Sequence, residues 1–134
     1  MPLTLLEHFL VLTDDIDGTR HFYRDGLGLE DGFRAELGFA GYWLYLGSIP
    51  VLHIADRADY EVHSAREGIP VSRRTAGTGP LDHVAFNGHD VTAMTSRLES
   101  HSIAFHRNDV PHVGLVQLFV EDPNGIKIEM NFRD

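Results

Sequence analysis

Apolar residues along this chain fall into two runs of the same shape. LLEHFLVLTDD at 5–15 gathers Leu, Val and Phe and stops at Thr13-Asp14-Asp15, which predicts a strand. DIDGTRHFYRDGLG follows, with Ile16, Phe22, Tyr23 and Leu27 at helical spacing. Asp14 or Asp15 can cap the start of that helix, and Gly26 or Gly28 can end it. Three short strands are predicted next, around GFRAE, GYWLYLG and IPVLHIAD. The order then repeats. LDHVAFNGHD at 81–90 reads as a strand, and DVTAMTSRLESHS as a helix capped by Asp90 with Val91, Met94 and Leu98 on one face. Strands around AFHRN, LVQLFVED and GIKIEMNF complete the second half, with DPNG at 122–125 as a turn.

This pattern predicts an α+β fold, a single domain over 1–134 built from two paired βαβββ modules, about 1–56 and 80–134. The link 57–79 is expected to hold one short helix, 59–67, and then a flexible stretch ending in GTGP. His8 and His83 open the two halves, while His53 and Glu129 sit in the last strand of each. His8 and His53 are 45 residues apart, His83 and Glu129 46 apart, so four potential metal ligands occupy matching positions.

Charge narrows the function classes. Twenty acidic residues against 11 Lys and Arg give a net charge of -9, which disfavours nucleic acid and anionic membranes as partners. There is no cysteine, hence no disulfide, thiolate metal site or Cys nucleophile. MPLTLLEHFLVL lacks a basic region and is broken by Glu7 and His8, so neither a signal peptide nor a membrane span is expected, and the expected location is cytoplasmic. GxGxxG, P-loop, HExxH, GxSxG and EF-hand spacings do not occur.

Nine histidines are many for 134 residues. His21, His63, His89, His101 and His106 have no partner at a repeated position and read as solvated. His112, in the loop segment PHVG, stays a candidate because loops often carry function. Alternation puts Glu129 with Lys127 and Asn131, opposite Ile126, Ile128 and Met130, on a face that meets either solvent or a polar cavity.

HFYRDGLGL at 21–29, LDHVAF at 81–86 and DPNGIKIE at 122–129 together resemble the vicinal oxygen chelate superfamily, over residues 5–132. That superfamily includes glyoxalase I, extradiol dioxygenases, methylmalonyl-CoA epimerase and the fosfomycin and bleomycin resistance proteins. The resemblance implies two βαβββ modules whose mixed sheets form a cup around one divalent metal, held by His8, His83 and Glu129. Two histidines and a carboxylate suit non-haem Fe(II), and also tolerate Mn, Ni, Co or Zn.

His53 separates two enzymatic expectations. By resemblance to single-domain extradiol dioxygenases it is the catalytic acid and base, near its free pKa, in opening a catechol-type substrate. Phe119 stands where those enzymes usually carry a Tyr, which weighs against ring cleavage. The alternative is a glyoxalase- or epimerase-like lyase or isomerase with His53 as fourth ligand. A drug-binding resistance protein is the non-enzymatic alternative. Phe39, Tyr42, Trp43, His112 and Phe119 are candidate contacts for a small chelating substrate, with at least two of the four aromatics expected to pack in the core instead. Arg73 and Arg74 could meet a carboxylate on it but are expected to be solvated in the link. Relatives of this length imply a homodimer.

Overall fold

The structure, a computed structural model, describes residues 2–70, 72 and 77–134. The chain divides into two compact units, residues 1–73 and 74–134. Arg73 and Arg74, expected in a solvated link, lie outside the described residues. Among the described residues no helix is long and apolar enough to cross a membrane.

The first unit holds β1 (Phe9–Thr13), α1 (Ile16–His21), a π-helical turn (Phe22–Gly26), β2 (Glu30–Asp31), β3 (Gly41–Leu46), β4 (Ile49–Asp56) and α2 (Arg57–Glu67). Its four strands form one mixed sheet in the order β1-β4-β3-β2, with β1 parallel to β4 and the other pairs antiparallel. Alternation assigns the faces: Val11, Leu44, Leu52 and Ile54 are buried, while Leu10, Trp43 and His53 point the other way. Asp15 caps α1 by accepting from the Gly18 amide at 2.9 Å. The π-helical turn then brings Tyr23 and Leu27 into the core.

Several boundaries differ from expectation: β1 is shorter than the expected 5–15, and the helix after it ends in a π-helical turn. GFRAE, residues 32–36, is no strand; pairing is limited to Glu30 and Asp31, opposite Tyr45 and Leu44. Side chains take up the nearby carbonyls instead, as Tyr45 Oη donates to the Phe33 carbonyl and Arg34 Nη2 to the Phe39 carbonyl. The short strand is pinned to α1 by Arg20, which grips Asp31 through Nε and Nη2, each at 2.8 Å. That pairing, with Arg24 beside it, holds the Asp31 carboxyl below its usual range. The link helix α2 begins at Arg57 rather than 59, because the Asp56 carboxylate accepts from the Asp59 amide at 3.0 Å and caps it two residues earlier.

The second unit repeats the topology with β5 (His83–Gly88), α3 (Val91–Ser100), β6 (His106–Val110), a 3-10 turn (Pro111–Val113), β7 (Leu115–Glu121) and β8 (Lys127–Phe132). Its sheet runs β5-β8-β7-β6, again with the first strand parallel to the last. Leu118, Val120, Ile128, Met130 and Phe132 are buried on one face. Asp90 caps α3 through the Ala93 amide, as its sequence predicts. The turn before β8 is built on Asp122, 4% exposed, whose carboxylate accepts from the Asn124 and Ile126 amides at 2.7 and 2.9 Å. Gly125 supplies the left-handed backbone there, at φ 84°.

Candidate functional site

Strand register shows how closely the two units match. Leu10, two residues after His8, lies opposite His53. Ala85, two residues after His83, lies opposite Glu129. His53 is therefore the structural counterpart of Glu129, and His8 that of His83, although His8 immediately precedes β1 whereas His83 begins β5.

In the first unit, three flat rings are stacked. The His53 ring lies between Trp43, 4.3 Å away at 11°, and His8, 3.6 Å away at 9°. Trp43 faces His53 directly across the β3–β4 ladder, which fixes the stack through the sheet register. His53 Nε2 is buried and has no hydrogen-bond partner. Burial, then the positive charge His8 can carry, pushes the His53 pKa down to about 4, with Glu7 opposing. His8 Nδ1 lies 2.8 Å from Glu7 Oε1. An Nδ1–H donating to that carboxylate leaves the Nε2 lone pair free.

The second unit has its own pair. His83 Nδ1 is 2.7 Å from Asp82 Oδ2, and Lys127 Nζ holds the same carboxylate oxygen at 2.8 Å. The acidic residue before each histidine thus orients the ring, so that one ligand-type nitrogen is left outward. His83 Nε2 stands 3.5 Å from Glu129 Oε1, and the Glu129 side chain is only 14% exposed. Its other oxygen, Oε2, accepts from Asn131 Nδ2 at 2.8 Å.

The His83–Glu129 pair fits a divalent metal. Nitrogen and oxygen ligands about 2.1 Å from one ion, at right to tetrahedral angles, sit roughly 3.0–3.5 Å apart, which the His83–Glu129 pair matches. A buried imidazole nitrogen without a partner fits the same chemistry, because a metal would satisfy it. Among the described residues no three ligating side chains form one group, and the matching distance is that of the His83–Glu129 pair alone.

The other expected substrate contacts separate. Trp43 lies on the His53 face, and Phe119 is the cross-strand neighbour of Glu129. Tyr42 points to the opposite face of its sheet, donating to Asp17 beneath the Arg20 guanidinium. Phe39 packs edge-on against Tyr60 and beside His63, so His63 is half-buried in an aromatic cluster rather than solvated. His112 sits exposed in the 3-10 turn. His106, read as solvated, is exposed but lies opposite Phe119 in the row that contains Glu129, rimming an open groove with Phe119, Glu121 and Lys127. Arg34 also escaped the sequence reading; its charge acts on His53.

The family model for the Glyoxalase/Bleomycin resistance protein/Dioxygenase superfamily matches residues 5–130. The chain belongs to that superfamily. Among solved structures it is similar to a lactoylglutathione lyase from Agrobacterium tumefaciens, with 25% identity, TM-score 0.68 and coverage of 98% of this chain and 95% of that one. It also resembles TnmS3, an antibiotic binding protein from Streptomyces sp. CB03234, at 18% identity and TM-score 0.70, covering 100% and 99% of the two chains. A glyoxalase/bleomycin resistance protein/dioxygenase from Nocardioides matches at 19% identity and TM-score 0.67, covering 98% and 84%. No curated protein matches the chain.

Proposed function

We propose that this member of the superfamily is a divalent-metal-dependent lyase or isomerase acting on a small substrate with adjacent oxygens, with ligands drawn from His8 and His53 in the first unit and from His83 and Glu129 in the second. The observation that carries this is the buried, unpartnered Nε2 of His53 at the position matching Glu129. A general base is most effective with a hydrogen-bond path to its substrate and a pKa near the working pH. A ligand nitrogen needs neither, but must be deprotonated and aimed. The low pKa of His53 agrees with the second role. The lactoylglutathione lyase neighbour supports the same reaction class.

When bound, the metal would polarise the substrate's paired oxygens and acidify the adjoining C–H bond. Glu7 and Asp82 keep each histidine turned with Nε2 outward. Trp43 braces His53, and Phe119 offers an apolar wall beside Glu129. The small chelating substrate and the homodimer implied by the resemblance belong to the same proposal.

His53→Asn tests it. Metal content and turnover of a hemithioacetal and of a catechol panel are measured on one preparation, loaded in turn with Ni, Zn and Fe(II). Metal and hemithioacetal turnover should be lost together. Retained metal with catechol cleavage reduced about a hundredfold would instead make His53 the proton carrier of a ring-cleaving dioxygenase.

A further inference from the structure

The face that carries Glu129 holds a row of amides. Asn108 on β6, Gln117 on β7 and Asn131 on β8 are directly opposite one another, and Asn87 on β5 completes the row. Three of the four are linked head to tail. Asn108 Nδ2 donates to Gln117 Oε1 at 2.8 Å, Gln117 Nε2 to Asn131 Oδ1 at 3.4 Å, and Asn131 Nδ2 to Glu129 Oε2 at 2.8 Å. Every donor in this chain points toward the carboxylate. Asn87 is outside it, its oxygen taken by Arg133 Nη1 at 3.2 Å. The links also run inward, from exposed Asn108 through half-buried Gln117 and Asn131 to Glu129.

Sheet stability does not require that direction. Cross-strand polar pairs contribute only about 0.2–1 kcal/mol each, and either orientation of each amide would serve. A common direction ending on an anion is what aligned dipoles favour, since each bond polarises the next. It also has a geometric effect. With Oε2 held by Asn131, Oε1 is the oxygen left facing His83 Nε2.

We infer that Asn131, backed by Gln117 and Asn108, is a positioning residue that fixes the rotamer of Glu129 and commits Oε2, so that Glu129 binds metal through Oε1 alone. This rests on the metal-dependent function proposed above. Asn131 does not touch the metal; it acts through Glu129. The 3.4 Å link between Gln117 and Asn131 is the weakest of the three, so the influence of the row falls sharply beyond Asn131.

Binding of Co(II) to chelator-stripped protein, followed by competition with a chromophoric chelator and by the visible cobalt spectrum, tests the inference. Asn131→Leu should bind Co(II) about 10- to 100-fold more weakly and with an altered spectrum, while thermal melts stay close to wild type. Asn131→Gln, which keeps a donor on a longer arm, should recover part of the affinity. Gln117→Leu should weaken binding by roughly two- to fivefold, because it acts only by polarising and orienting Asn131. Should Asn131→Leu fail to fold, Asn131→Ser removes the same donor in a smaller polar side chain and carries the same expectation. His83→Ala and Glu129→Gln serve as references. If these two lose Co(II) while Asn131→Leu binds as wild type does, the positioning role is wrong and the metal site stands. If neither reference loses Co(II), the proposed metal function fails and the positioning role fails with it.

Discussion

Replacing His53 with leucine in metal-free protein should stabilise the fold, although it removes a ring stacked on two others. The wild-type ring contributes stacking against Trp43 and His8, worth about 0.5–1.5 kcal/mol. Against that stands a buried nitrogen with no partner, which costs about 1–3 kcal/mol. Leucine keeps the apolar contact and removes the orphan, so a net gain of about 0–2 kcal/mol is expected at pH 7. The balance then shifts with pH. The folded pKa of about 4 lies below the unfolded value of 6.5, so between those values the unfolded chain holds a proton that the folded one does not. Wild-type stability therefore falls as pH drops from about 6.5 to 4. The depression corresponds to at most about 3 kcal/mol, and solvent screening of a half-buried ring reduces this to about 1–2 kcal/mol. The leucine variant lacks this loss, so its advantage should widen by that amount at pH 4.5. Urea melts at pH 7 and 4.5 in the presence of a chelator measure both values; fluorescence of Trp43, the single tryptophan, reports on the same unit. A variant more than about 1 kcal/mol less stable than wild type at pH 7, or one with an unchanged acid limb, would refute the orphan-nitrogen account.

Glu7→Gln and Asp82→Asn should each weaken Co(II) binding about tenfold, because both histidines lose the carboxylate that fixes their tautomer; unchanged chelator competition would show that the rings need no such support. Asp122→Ala should destabilise the second unit by about 2–3 kcal/mol, since two amides accepted by one buried carboxylate are left without it, and urea denaturation followed by circular dichroism reads the loss. Asp31→Asn should flatten the acid side of the melting-temperature profile. The depressed Asp31 pKa means its contribution is complete above about pH 4 and is lost as pH falls through the folded value, so a variant with the wild-type acid limb would remove Arg20–Asp31 from that account.

Much of the fold was legible because each element carried its own signal. Alternation in GIKIEMNF separates Ile128 and Met130 from Glu129 and Asn131, and both faces are as that pattern predicts. Asp90 announces one helix start by residue type, and residue type narrows the other to Asp14 or Asp15, of which Asp15 is the cap. GFRAE misled because a short stretch mixing aromatic and polar residues resembles a strand, whereas Tyr45 and Arg34, which satisfy its neighbourhood, are read only in three dimensions. The environment of His53 was hidden for the same reason. Trp43 is ten residues away and His8 forty-five, and only the register of β1, β3 and β4 stacks the three rings. The amide row was equally invisible, since Asn108, Gln117 and Asn131 are ordinary outward residues until the strands are aligned.

The two sheets have kept one face and changed the other. Leu44, Leu52 and Ile54 in the first unit and Leu118, Ile128 and Met130 in the second are all buried and aliphatic or thioether. The opposite faces no longer resemble each other: Leu10 and Trp43 flank His53, while Ala85 and Phe119 flank Glu129 and an amide row runs alongside. Substitutions on a packed face typically cost more than a kilocalorie, whereas exposed ones fall mostly within about 0.5 kcal/mol. The half-buried opposite faces lie between those limits, so side chains there can differ at a lower cost to folding than side chains in the packed layer. Each unit can thus carry different side chains there on one scaffold, and a scaffold with that freedom can pass from one chemistry to another by a few replacements on that face. A lyase and an antibiotic-binding protein of similar fold are what such freedom allows.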